Sequence, residues 1–183
     1  MHPRLVDPQQ AFLLVIDLQE GYRAALWEWE RTSARARVMI QAARLLDLPV
    51  LYTEQYPKGL GATAPEVLRA LGSAPRFEKR SISALGAPGL LEALLGLGRR
   101  QAIVVGIETH ACINQTTHDL LRHGFAVHLA ADALSSRRAL EHEQGYAKLI
   151  GSGAISGSVE GIVLECLASA DHPQFKAVQA LLK

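Results

Sequence analysis

Residues 102–112 read AIVVGIETHAC. The apolar, β-branched run of residues 102–105 breaks at Gly106, and a helical pattern begins at Cys112. A buried strand that ends in glycine and passes into a helix sets Cys112 at the carboxyl end of the strand and in the first turn of the helix. Chemistry sits at that edge in open α/β sheets. The free amides and positive dipole end of a helix N-terminus favour thiolate over thiol and predict a cysteine pKa below the free value of about 8.5. Position alone leaves two readings of Cys112, a nucleophile or a small packing residue, since cysteine is among the most buried residue types.

The same alternation of strand and helix continues in both directions. Residues 11–17, AFLLVID, read as a strand covered on both faces. Residues 33–46 repeat apolar positions at helical spacing, and 49–53, PVLYT, form the next strand. Residues 54–64 hold two glycines and a proline and read as a loop. A short helix from 65, an edge strand at 77–80 and a helix at 88–97 follow, before the strand quoted above and a helix ended by Gly124. Strands at 126–131 and 154–156 alternate with helices at 136–150 and 158–168, and a last helix starts at Pro173. This pattern predicts an α/β fold over residues 1–183, a single doubly wound, Rossmann-like domain with a mostly parallel sheet of about six strands.

With 183 residues and 49% hydrophobic content, the chain has the material for one substantial core. Its 19 basic and 18 acidic residues leave a formal charge of +1, which excludes the electrostatic footprint of a nucleic-acid binder. The two cysteines, Cys112 and Cys166, form neither a disulfide framework nor a CxxC site. The polar opening HPRLVDPQQ and the absence of a long apolar run predict no membrane segment and a cytoplasmic protein. No HExxH, GxGxxG or GxxxxGK[ST] pattern stands in the right context, so neither a metal nor a cofactor is expected.

Asp17 ends the first strand, and its carboxylate is expected beside Cys112 if the strand order reverses between the two strands. There it would accept a thiol proton and return it to a leaving group; otherwise it is a cap or turn residue. One cation from the string RFEKRS, residues 76–81, would stabilise both groups, and the residues alone do not choose among Arg76, Lys79 and Arg80. His110, two positions before Cys112, points away from it on a helical surface. Tyr22 follows Asp17 closely enough to line a pocket, and Trp27 and Trp29 read as core or interface residues.

VIDLQ at 15–19, RFEKRSISAL at 76–85 and GIETHACINQTTHDLL at 106–121 together resemble the isochorismatase-like cysteine hydrolases. The resemblance runs from residue 11 to 168, and TEQYPKGLG at 53–61 and DALSS at 132–136 are similar to the isochorismatase domain-containing branch. It implies a catalytic triad of Asp17, Lys79 and Cys112, an oxyanion hole from the backbone N–H groups of Glu108 and Cys112, and a cis peptide between Ile107 and Glu108. It also implies cleavage of an amide-like C–N bond in a small-molecule substrate through a thioester, in a homo-oligomer; the few charges in the carboxyl-terminal helices point the same way. Vinyl-ether hydrolysis on the same fold and a catalytically idle interaction module are the competing readings. Nicotinamidases of the family carry an aspartate and histidines after the second strand to hold a metal, where this chain has Thr53, Glu54, Gln55 and Tyr56. Leu85 stands where many relatives have phenylalanine. Tyr22, Glu54, Gln55 and Tyr56, with the Glu108 side chain, are the expected substrate contacts.

Overall fold

Strand β1 (Ala11–Ile16) is buried along its whole length, which explains why its six residues are all apolar. Phe12, Leu14 and Ile16 face one core; Leu13 and Val15 face the other. The computed structural model describes residue 2 and residues 4–183. After β1 come α1 (Trp29–Leu45), β2 (Val50–Gln55), α2 (Pro57–Leu60), α3 (Pro65–Leu71), β3 (Arg76–Lys79), α4 (Leu90–Gly96) and β4 (Gln101–Ile107). The chain continues through α5 (Asn114–Arg122), β5 (Ala126–Ser135), α6 (Ala139–Gly151), β6 (Ile155–Gly157), α7 (Val159–Leu167) and α8 (Phe175–Leu182).

The sheet order is β3-β2-β1-β4-β5-β6, and every pairing is parallel. The chain therefore winds outward from β1 to β3, crosses back to β4 and winds outward the other way, which makes β1 and β4 the switch point. Their register pairs Ile16 with Gly106. A Cβ at Gly106 would lie 2.1 Å from the Ile16 carbonyl oxygen, and its φ of +123° suits glycine alone. That close approach brings Asp17 and residues 107–112 side by side. One face of the sheet packs on α1, α3, α7 and α8, through residues such as Met39, Ile40, Val67, Ile162 and Val178, and the other on α4, α5 and α6, through Leu94, Leu120 and Leu149.

Three local differences from the sequence reading have physical reasons. Helix α1 starts at Trp29, buried in the core, while Trp27 stays at the surface. Strand β5 runs past residue 131 to Ser135 because its register against β4 slips, from Val104 opposite Leu129 to Gly106 opposite Leu134. The slack presents Asp132, whose carboxylate accepts the Val159 amide at 2.8 Å and pairs with Arg35 at 2.7 Å. Of the apolar residues of α7, Val159, Ile162, Val163 and Leu167 are buried within this chain, which leaves Leu164, 47% exposed, as its large apolar side chain open to self-association. Among the described residues no helix is long and apolar enough to cross a membrane.

His128 on β5 is buried, and among the described residues its Nε2 has no partner. Burial pulls its pKa down to about 4. Between pH 6.5 and 4 the unfolded chain gains a proton that the folded imidazole does not take, so stability falls with falling pH. His128 contributes about 3 kcal/mol to that fall. Urea unfolding at the two pH values should show a gap smaller by this amount in His128→Phe; an equal gap would place the acid sensitivity elsewhere.

Candidate active site

Asp17 leaves β1 in a left-handed backbone conformation with φ of 52°. Its carboxylate is buried, with Oδ1 accepting the Thr53 hydroxyl at 2.7 Å and Oδ2 facing Lys79 Nζ at 2.8 Å. Lys79 is the last residue of β3, paired in register with Gln55, and its side chain is fully buried. Its ammonium also meets Cys112 Sγ at 3.4 Å, the Ser81 and Ile82 carbonyls at 3.2 and 3.1 Å, and Gln55 Oε1. These acceptors outnumber its three protons, so they share them and hold the charge at one point between Asp17 and Cys112. The neighbouring cations are engaged elsewhere: Arg76 pairs with Glu54 at 3.2 Å and Glu78 at 2.8 Å, and Arg80 lies over the Tyr56 ring at 4.4 Å.

Cys112 sits in a wide π-type turn, Thr109–Ile113, that leads into α5. The Glu108 carbonyl accepts the amides of Ala111 and Ile113, at 3.0 and 3.1 Å, either side of the Cys112 amide. The peptide bond entering this turn, Ile107 to Glu108, is cis. The Thr109 hydroxyl donates to the Ser135 carbonyl at 3.0 Å and so receives its second bond, at 2.8 Å, from His142 Nδ1 on α6. His110 turns away from the sulfur to Ser136, with Nδ1 and Oγ 3.0 Å apart.

Helix α6 reaches this turn at Gly145, where a Cβ would come within 2.8 Å of His110 Cα and 2.9 Å of its amide nitrogen. Gly145→Ala should therefore move the turn and cost about 1–3 kcal/mol of stability. Thermal unfolding of the variant alongside its Cys112 alkylation rate would show both effects; parent-like values for both would mean that α6 does not hold the turn.

Burial, reinforced by the Asp17 charge and only partly opposed by Lys79, pushes the Cys112 thiol up to about 12. This reverses the expectation of a helix-end thiolate: desolvation disfavours the charged sulfur more than the lysine favours it. The resting group is a thiol next to a carboxylate.

The other expected residues divide. Tyr22 is half-buried, and burial first, then Cys112 once ionised and the charges of Asp17 and Glu108, push its hydroxyl up to about 12, leaving it a neutral donor. The buried Glu54 carboxylate takes the Thr63 amide and hydroxyl at 2.7 and 2.8 Å as well as Arg76. Gln55 steadies Lys79 through Oε1 and gives Nε2 to the Arg80 carbonyl at 3.1 Å. Tyr56 stands outside the cluster, 40% exposed, its amide on the Lys79 carbonyl at 2.9 Å. The Glu108 carboxylate is gripped by the Arg137 amide, Nε and Nη2 at 2.8–3.0 Å; burial alone would raise its pKa, but the Arg137 bonds win and hold it below the usual range.

Thr53, Gln19 and Arg137 were not singled out from the sequence. Gln19 is wholly buried and ties the segment after β1 to the end of β2 and its loop, with Nε2 on the Gln55 and Gly61 carbonyls at 3.0 and 2.7 Å and Oε1 on the Gln55 amide at 2.7 Å. A threonine in an apolar strand and a glutamine two residues after Asp17 were the available signals. Among the described residues no three His, Cys, Asp or Glu side chains cluster as metal ligands.

Residues 11–160 match the Isochorismatase domain. The chain is 40% identical over 177 residues to isochorismatase domain-containing protein 2A of Mus musculus, covering 96% of this chain and 84% of that one. It superposes on the MAR1 ribonuclease of Caenorhabditis elegans with a TM-score of 0.92 and 37% identity, covering 97% of this chain and 92% of that one. The ycaC gene product of Escherichia coli, described as an octameric hydrolase of unknown specificity, shares the fold at a TM-score of 0.90 and 21% identity, over 97% and 88% of the two chains.

Proposed function

Because the chain belongs to the isochorismatase family, we propose that residues 1–183 act as one hydrolase domain, a metal-independent cysteine hydrolase that cleaves a small amide-like C–N bond. The observation that carries this reading is the buried contact of Lys79 with both Asp17 and Cys112. Asp17 takes the proton from the Cys112 thiol as sulfur attacks the carbonyl carbon. The neutral thiol and the carboxylate become a thiolate and a neutral acid, and Lys79, keeping its proton, sits beside the negative charge before and after. The tetrahedral oxygen is received by the backbone N–H groups of Glu108 and Cys112, donors worth about 2.7–4 kcal/mol each in comparable acyl transfers. Asp17 then passes its proton to the leaving nitrogen, the C–N bond breaks, and ammonia or an amine departs. Water attacks the thioester with Asp17 again as base, the C–S bond breaks, and the sulfur recovers its proton. The sum is amide plus water giving acid plus amine.

A neighbour's description as a ribonuclease raises RNA as a substrate. The balanced charge of +1 and the deep burial of Cys112, 6% exposed, favour a small molecule over a polyanion. The test is ammonia release from a panel of small amides, ureido acids and carbamoyl compounds, with labelled RNA in parallel and Cys112→Ala as control. Amide hydrolysis lost in the variant supports the reading. RNA cleavage that survives in the variant, without amide hydrolysis, sinks it. Self-association is part of the proposal, supported by the octameric description of one neighbour, and a solution mass measurement checks it.

A further inference from the structure

A second cleft, of about 460 Å³, opens beside β3, lined among others by Tyr56, Pro57, Lys58, Glu78, Arg80 and Pro88. Lys79 borders it, whereas Asp17 and Cys112 do not line it, so it is distinct from the space above the sulfur. Its charges are unbalanced. Glu78 turns to Arg76 at 2.8 Å, a cation it shares with Glu54, and among the described residues no carboxylate lies within 4 Å of Lys58 or Arg80. The Arg80 guanidinium lies over the Tyr56 ring with its centre 4.4 Å from the ring centroid. Stacked in this way, a guanidinium keeps its edge N–H donors for an anion while its face is covered.

The stack is held in place. Tyr56 has a left-handed φ of 37°, and its amide is tied to the Lys79 carbonyl at 2.9 Å. Its ring packs so closely on Gly59 that a Cβ there would lie 2.5 Å from it. Residue 59 must therefore be glycine for the ring to lie where it does, and the arginine is presented on a fixed platform.

We propose that this cleft is a binding site for a planar aromatic carboxylate. The carboxylate takes the Arg80 edge as a bidentate partner with Lys58 as a second cation, and the ring lies against the apolar surfaces of Pro57 and Pro88. A cleft of this size holds a single-ring ligand with room to spare. The site is separate from the Cys112 chemistry and stands or falls without it.

Benzoate is the probe, titrated into the whole protein by calorimetry, with benzamide as the uncharged isostere and inorganic phosphate as a non-planar anion. Benzoate should saturate at one site per chain and bind at least about tenfold more tightly than either control. Arg80→Gln should weaken benzoate about tenfold or more, Lys58→Gln should weaken it less, and Cys112→Ala should leave it unchanged. Arg80 and Lys58 are exposed, so folding is not at risk in either variant. Benzamide binding as well as benzoate, an affinity untouched by Arg80→Gln, or binding lost in Cys112→Ala would each overturn the proposal; the last would place the ligand over the sulfur.

Discussion

Cys112→Ala abolishes turnover of an ammonia-releasing substrate, a loss of about 10⁵-fold or more if sulfur is the nucleophile, and removes the thioester that mass spectrometry would find on the parent. Asp17→Asn should match it in turnover but not in reactivity. In the parent the thiol, pushed up to about 12, is alkylated slowly at neutral pH, with a rate rising about tenfold per pH unit from 7 to 11. The Asp17 charge is one cause of that elevation, so Asp17→Asn should alkylate faster than the parent at any given pH while failing to turn over. Iodoacetamide rates across that pH range, read beside ammonia release, check both. A plateau near 8.5 in the parent, or an asparagine variant that alkylates more slowly and still turns over, would mean that the carboxylate does not act on the sulfur.

Lys79→Met leaves the buried Asp17 carboxylate without its cation, and breaking such a pair costs about 3–5 kcal/mol at neutral pH. Urea unfolding at pH 7 should find that deficit, and Asp17→Asn added to Lys79→Met should recover much of it. A double variant no more stable than Lys79→Met would assign the deficit to packing alone. Turnover should fall with the single change, because nothing then offsets the charge passing between sulfur and carboxylate.

The strands at the switch point were legible because a strand buried on both faces reads as an unbroken apolar run, as Ala11–Ile16 does. The end of β5 was not, since the register slip after Leu129 keeps Asp132 and Ser135 within a strand whose letters, DALSS, read as a turn. The address of Cys112 followed from Gly106, one residue short of the end of its strand. Its ionisation did not, because desolvation is set by whatever the fold packs around the sulfur, and that comes from segments distant in the sequence. Arg76, Lys79 and Arg80 were alternatives until the fully buried Lys79 side chain, 2.8 Å from Asp17, showed which of them turns inward. Glu54 and Gln55 looked alike as pocket residues. One is taken up by Thr63 and Arg76, the other reaches Lys79, and only the fold of the 56–63 loop distinguishes them.

The sheet order also bears on how the chain is made. Ala11 pairs with Gln101, so β1, synthesised before β4, waits for the residues of β4 before its second edge is covered. Until then a nascent chain already holds Asp17 and Lys79, but its most apolar strand offers a bare row of amides and carbonyls to any passing strand. The arrival of β4 closes that edge and, a few residues later, Cys112 supplies the sulfur. An unfinished product is thus sticky before it can be reactive, and ribosome-associated holding factors have most to protect between the emergence of residues 16 and 101.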